Sequence, residues 1–202
     1  MLRVVLGSRN KKKLKEMVAL LGDLGLDLAD LTPYPDAPEV DETAETFVGN
    51  AILKATQLAP VLRAWVIGED SGLCVPALGG APGVHSARYA GTHGDDQANN
   101  DKLLRAMANL TGDERAAYYV STAVLADPAG NVIAQVEGRC HGVIVTERRG
   151  AGGFGYDPLF LVPEYGRTFG ELPPEVKAQM SHRAKAFADL RPALERLADA
   201  KN

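Results

Sequence analysis

Leu2-Arg3-Val4-Val5-Leu6, then Gly7-Ser8-Arg9-Asn10, then Lys11-Lys12-Lys13-Leu14-Lys15 open the chain. The first five residues read as a β-strand. After the four-residue loop, Leu14, Met17, Val18 and Leu21 recur at i, i+3, i+4 and i+7, the period of one helix face. A strand, a short loop and a helix in that order begin an α/β protein. A second helix is expected over about 46–62, burying Phe47, Ala51, Ala55 and Leu58. It leads into a strand at Trp65-Val66-Ile67 that ends in Gly68-Glu69-Asp70. A third helix is expected near 95–110, with Leu103, Ala106, Met107 and Leu110 on one face. Strands then follow at 118–126 and 131–137, joined by Asp127-Pro128-Ala129-Gly130, which has the composition of a hairpin turn. A strand at 158–162 and a C-terminal helix from about Ser181, with Phe187, Leu190, Leu194 and Leu197 in register, complete the reading. Helices alternate with strands and at least one hairpin is present, so the sheet is expected to be mixed.

At 202 residues the chain has the length of one domain, either undivided or built as two lobes that share a core. Hydrophobic residues at 46% and charged residues at 24% exclude a disordered, collagenous or disulfide-dense chain. The 22 basic and 26 acidic residues leave a net charge of −4, the wrong sign for holding nucleic acid through bulk charge. Cys74 and Cys140 have no Cys-x-x-Cys context, which disfavours zinc and redox chemistry and fits a reducing, cytoplasmic setting. Arg3, Arg9 and Lys11 interrupt any signal-peptide core, and no run reaches the roughly 20 apolar residues of a membrane span.

Two features point to chemistry on anions. Arg9, Lys11, Lys12, Lys13 and Lys15 crowd the start of the first helix, where backbone N–H groups already carry partial positive charge. Such crowding makes sense when an anion is shared among them, and Ser8 and Asn10 add neutral donors suited to phosphate oxygens. A solvated basic face is the plainer reading of the lysines alone. The loop is no Walker P-loop, since it lacks the second glycine. Five acids, Asp36, Glu39, Asp41, Glu42 and Glu45, precede the second helix, and the adjacent pair Glu69-Asp70 follows a buried strand. Their oxygens suit Mg²⁺, which takes one or two carboxylates and completes its shell with water and phosphate. A carboxylate there can also deprotonate an attacking water.

Nineteen of the 33 glycines and prolines fall in two windows, 68–94 and 150–174, as expected for the walls of a site or for two long surface connections. The second window contains Gly152-Gly153-Phe154-Gly155-Tyr156-Asp157-Pro158, with Lys177 and Ser181-His182-Arg183 further on. An aromatic ring on a glycine-rich loop can stack on a nucleobase, with Asp157 accepting a ring N–H and His182 or Arg183 donating to a keto oxygen. Core packing for Phe154 and helix capping for His182 fit these residues equally well.

These motifs together resemble the noncanonical purine nucleoside triphosphate pyrophosphatase family, also called inosine triphosphatases or XTP/dITP diphosphatases. The likeness rests on Ser8-x-Asn10-x-x-Lys13 with Glu16, Thr46-Phe47 with Asn50-Ala51-x-x-Lys54-Ala55, and Glu69-Asp70-Ser71-Gly72-Leu73. Leu78 to Gly83 with Ser86-Ala87-Arg88-Tyr89, Gly152 to Pro158, and Ser181-His182-Arg183 extend it over nearly the whole chain. The resemblance implies an elongated α/β fold of two lobes with helices around a mixed sheet and a central substrate cleft, commonly as a homodimer. It also implies Mg²⁺-dependent attack of water on the α-phosphorus of a purine nucleoside triphosphate, releasing pyrophosphate. Ser8, Asn10, Lys13 and Lys54 would bind the triphosphate. Glu42 and Asp70 would hold the metal, and Asp70 would activate the water with Glu69 and Ser71 beside it. Phe154, Gly155, Tyr156, Asp157, Lys177, His182 and Arg183 would line the base and sugar end. Three positions depart from the family pattern: Gly49 and Glu69 stand where many relatives have glutamate and aspartate, and Tyr156 replaces the tryptophan of some.

Hypoxanthine presents an N1–H donor beside an O6 acceptor, and adenine reverses both. A site with Asp157 facing N1, and Arg183 or a backbone N–H facing O6, would therefore reject adenosine nucleotides by roughly 10⁴-fold or more. Two rival functions share the same residues: a pyrophosphatase for other modified nucleotides, and a nucleotide- or RNA-binding module without turnover.

Overall fold

The alternation of apolar residues along the strands decides where the helices lie. In the computed structural model, which describes residues 1–199, the strands are β1 (Arg3–Leu6), β2 (Asp27–Ala29), β3 (Trp65–Cys74), β4 (Ala116–Ala126), β5 (Val132–Ile144), β6 (Phe160–Val162) and β7 (Arg167–Thr168). The helices are α1 (Lys11–Leu21), α2 (Phe47–Leu62), α3 (Asp96–Ala106), α4 (Pro174–Met180) and α5 (His182–Asp199), with short 3₁₀ turns between elements. One sheet runs in the order β2-β1-β3-β4-β5-β6-β7. β1 pairs in parallel with β2 and β3, whereas β6 pairs antiparallel with β5 and β7. The expected mixed sheet is therefore present.

The described residues divide into two units, the first comprising 1–70, 121–138 and 183–199, the second 71–120 and 139–182. In the first unit, Val4, Leu6, Ile67, Ala123 and Leu125 pack with Met17 and Leu21 of α1 and Phe187, Leu190 and Leu194 of α5. Their strand neighbours Val5, Val66, Val124 and Ala126 pack with Ala51, Ala55, Leu58 and Ala59 of α2. Side chains alternate across a strand, so α1 and α5 cover one face and α2 the other. Gly68 is what lets α2 come this close. A Cβ at that position would lie 2.1 Å from the Ala51 carbonyl oxygen and 2.6 Å from the Ala55 nitrogen. In the second unit, Tyr119, Phe160 and Phe169 form an aromatic centre, with ring centroids 4.7 and 5.1 Å apart along the series. Leu73, Leu103 and Met107 pack around it.

Several elements differ from the sequence reading. β3 does not stop at Gly68 but continues to Cys74, so Glu69 and Asp70 lie inside a strand. β5 continues through Gly138 and Gly142 to Ile144. The third helix ends at Ala106, leaving Leu110 beyond it, and Val18 on α1 faces solvent. β2, β7 and α4 carry no periodic apolar signal of their own. Among the described residues no helix is long and apolar enough to cross a membrane.

Candidate active site

β1 and β3 run parallel with Leu6 opposite Ile67, and Gly7 donates its N–H to the Ile67 carbonyl at 2.9 Å. The Ser8–Asn10 loop therefore leaves the carboxyl end of β1 beside Glu69 and Asp70, just past the point where β1 and β3 stop pairing, and open α/β sheets place their ligands at such strand ends. Asn10 caps α1 by accepting from the Lys12 and Lys13 N–H groups at 3.0 and 3.3 Å. Ser8 Oγ accepts from the Asn10 N–H at 3.1 Å. The helix N-terminus that the sequence suggested as a bare phosphate cradle is thus partly closed by its own cap. Lys11 and Lys12 face solvent, and Lys13 turns inward.

Adjacent residues of a strand point to opposite faces, and this separates the two acids. Glu69 faces α1 and α5. Its Oε2 lies 2.6 Å from Lys13 Nζ, and its Oε1 accepts from Arg183 Nε and Nη2 at 3.2 and 3.0 Å and from Ser121 Oγ at 2.8 Å. Arg183 also pairs with Glu16 through a short contact. The Glu69 side chain is 1% exposed. Burial opposes its charge, but Arg183 and Lys13 outweigh burial and hold the carboxyl well below the usual carboxylate range. Glu69 was expected to assist catalysis beside Asp70; instead its oxygens are used within the protein, and it anchors two cations. Arg183, expected to donate to a keto oxygen, is 2% exposed with its guanidinium committed to Glu69 and Glu16.

Asp70 faces α2. There Asn50 and Lys54, one helical turn apart, are buried on the side turned to β3. Lys54 Nζ lies 2.9 Å from Glu42 Oε1 and 3.2 Å from Asp70 Oδ1, and donates to the Glu69 carbonyl at 3.3 Å. Asn50 Nδ2 donates to Asp70 Oδ2 at 3.2 Å. Burial raises the Asp70 carboxyl above its ordinary value; Lys54 opposes that shift and Glu42 adds to it. For Lys54, Asp70 and Glu42 overcome the lowering by burial and raise the ammonium. Two carboxylates from separate stretches thus converge on one cation, which is the fit a divalent ion needs when it draws its remaining ligands from water and phosphate. Among the described residues there is no cluster of three or more His, Cys, Asp or Glu able to hold a metal ion by itself. Ser71 follows on β3, half-buried.

The second unit holds the other predicted residues. Asp157 was expected to accept from a purine ring. Its carboxylate is instead 2% exposed and accepts from Lys177 Nζ at 2.6 Å, from the Phe154 N–H at 2.9 Å and from Tyr119 Oη at 3.4 Å. It folds its own loop, with Gly153 at φ +74°; a Cβ on Gly153 would sit 1.9 Å from Asp157 Oδ2. Tyr156, expected as an aromatic surface, is a core residue whose hydroxyl donates to the Ser86 carbonyl at 2.9 Å. Gly155 is engaged at both ends, its N–H donating to Asp96 and its carbonyl accepting from Asn100, each at 2.8 Å. His182 stacks on Tyr119 with centroids 4.7 Å apart. Phe154 remains half-buried, with Lys177 Nζ 4.7 Å from its ring centre.

Sequence reasoning did not assign roles to Asn50, Ser121, Glu16 or Tyr119. Asn50 was legible from its spacing to Lys54, since i and i+4 share a helix face. Ser121 and Tyr119 lie in an apolar strand and carry no such signal.

A model of the Ham1 family matches residues 4–193. The dITP/XTP pyrophosphatase of Rhodopirellula baltica is 51% identical over 197 residues, covering 98% of this chain and 95% of that protein. The dITP/XTP pyrophosphatase of Geobacillus kaustophilus is 47% identical, covering 94% and 93%. Among solved structures, a HAM1 protein from Coxiella burnetii superposes with a TM-score of 0.88 at 38% identity, covering 97% of this chain and all of that one. The Ham1 protein of Staphylococcus aureus gives 0.84 at 37% identity, covering 96% and 98%. The motifs, the sheet and these full-length likenesses agree, and the chain belongs to the Ham1 family.

Proposed function

We propose that this protein hydrolyses deaminated purine nucleoside triphosphates (ITP, dITP and XTP) to the monophosphate and pyrophosphate, with Mg²⁺ as cofactor, and so clears them from the nucleotide pool. The observation that carries the reading is the convergence of Glu42 and Asp70 on the Lys54 ammonium, with Asp70 in the strand that continues from the pairing with β1. The near-full-length relatives named dITP/XTP pyrophosphatase support the substrate class.

In this reading Ser8, Asn10, Lys13 and Lys54 bind the phosphate chain, and Glu42 and Asp70 hold the ion. Mg²⁺ bound there neutralises charge on the phosphates. Asp70 takes the proton from water as the water oxygen bonds to the α-phosphorus. The bond from that phosphorus to the bridging oxygen breaks, and the electron pair leaves with pyrophosphate. In the second unit, Phe154 offers the ring on which a base stacks. Asp157 fixes the Lys177 ammonium beside that ring, and an ammonium only donates, so it suits the keto oxygen of hypoxanthine or xanthine and not the amino group of adenine. A homodimer completes the proposal, and light scattering on the purified protein should give the mass of two chains.

The test is a product assay on ITP, dITP, XTP and ATP, with and without Mg²⁺. The expected products are monophosphate and pyrophosphate from the first three, only with the metal. Release of inorganic phosphate, or binding with no turnover, would overturn the reading. Turnover favouring modified pyrimidine triphosphates would leave the chemistry intact and move the substrate class.

A further inference from the structure

Asn50 has a buried amide whose two ends reach different parts of the first unit. Its Nδ2 donates to Asp70 Oδ2 at 3.2 Å, while its Oδ1 accepts from the Ala44 N–H at 3.0 Å. Because the Ala44 N–H can only donate and the Asp70 carboxylate only accepts, the amide fits in one orientation. Ala44 follows Glu42 by two residues, in a segment between β2 and α2 that belongs to no helix or strand. Lys54 of α2 meets one oxygen of each carboxylate, Glu42 Oε1 and Asp70 Oδ1. The Asn50 amide adds a tie to the backbone, by gripping the Asp70 oxygen that Lys54 does not use and the Ala44 N–H of the segment that bears Glu42.

Gly49 supplies a second, independent observation. A Cβ there would lie 2.6 Å from the Ala44 Cβ and 3.0 Å from Thr46 Oγ1. The segment can approach α2 closely enough to bond Asn50 only because residue 49 has no side chain. Gly49 was noted as a departure from the family pattern that removes a carboxylate; in this chain it makes room for Ala44.

We propose that Asn50 is a positioning residue that, with Gly49, sets the separation of Glu42 and Asp70 to suit one divalent ion. This rests on the proposed metal-dependent reading of the site and adds which residue sets its geometry. Precise spacing matters because Mg²⁺ demands near-ideal octahedral geometry with short oxygen bonds.

The experiment is calorimetric titration of Mg²⁺ into protein saturated with an α,β-methylene purine triphosphate, which cannot turn over, for wild type, Asn50→Leu and Gly49→Ala. Wild type should bind Mg²⁺, and Asn50→Leu should bind it at least 10-fold more weakly. Affinity for the analogue without metal should change less than 2-fold, a split that general loss of structure would not give. Gly49→Ala, which keeps the amide and displaces Ala44, should weaken Mg²⁺ binding in the same direction and remains informative if Asn50→Leu fails to fold. Wild-type affinity in both variants, or equal losses for metal and analogue, would overturn the positioning role. Absence of Mg²⁺ binding in wild type would instead overturn the metal reading itself, and the proposal with it.

Discussion

Replacing Glu69 with Gln keeps the shape and an acceptor for Ser121 but removes the charge that Lys13 and Arg183 share. Glu69 is the most enclosed carboxylate of the site, with Lys13 at 2.6 Å and Arg183 at 3.0 Å. Breaking a buried pair from one side costs about 3–5 kcal/mol. The lower end applies here, since Arg183 keeps Glu16 and Lys13, with its side chain 17% exposed, can turn toward water. For a domain of this length that corresponds to a fall in Tm of roughly 6–12 °C at neutral pH. The pH dependence gives the sharper test. The folded carboxyl lies below its ordinary value of 4.5, so the stabilisation is full above that value and is lost as pH falls through the depressed folded one. Thermal unfolding of wild type and Glu69→Gln should therefore differ by a constant amount near neutrality and converge only in strong acid. A shift of less than about 2 °C at pH 7, or a gap that persists undiminished into acid, would show that the pairs around Glu69 do not stabilise the fold.

Asp70→Asn should abolish pyrophosphate release and keep nucleotide binding; unchanged turnover would show that Asp70 neither holds the ion nor takes the proton. Lys13→Ala should weaken triphosphate binding far more than nucleoside binding; equal losses would show that this lysine does not meet phosphate. Gly68→Ala forces a methyl group onto the α2 backbone and should cost about 3 kcal/mol in denaturant unfolding, with a neutral result refuting the close approach of α2 to β3. Gly153→Ala should disturb the bonds from Asp157 to Lys177 and Phe154 and lower purine affinity; unchanged purine affinity would show that this loop does not meet the base.

The reach of the sequence follows from which signals are local. Thr46 was legible as the start of α2 because its hydroxyl caps the helix by accepting from the Gly49 N–H, and Asp127-Pro128-Ala129-Gly130 because turn chemistry is written in four residues. β3 was cut short because Gly68, Glu69 and Asp70 look like a strand end. They lie inside the strand because a helix backbone needs the space at Gly68 and because cations from α1, α2 and α5 neutralise the acids. Those cations come from residues up to 114 positions away in the chain, so spacing could not reveal which acid meets which base. The same limit explains Asp157 and Arg183. Residue type suggested contacts to a base, whereas burial committed both to protein partners. Glu42, Lys54 and Asp70 stand out in the sequence because their motifs are short and lie beside clear apolar periods, and the structure brings these three side chains together.

The account stands on Glu42 and Asp70 sharing one divalent ion. Titrating Mg²⁺ into wild type, Glu42→Gln and Asp70→Asn, each saturated with the non-hydrolysable triphosphate, should show one binding event in wild type and at least a 10-fold loss in both variants. Undiminished affinity in either variant would mean that the two carboxylates do not meet at a common ion.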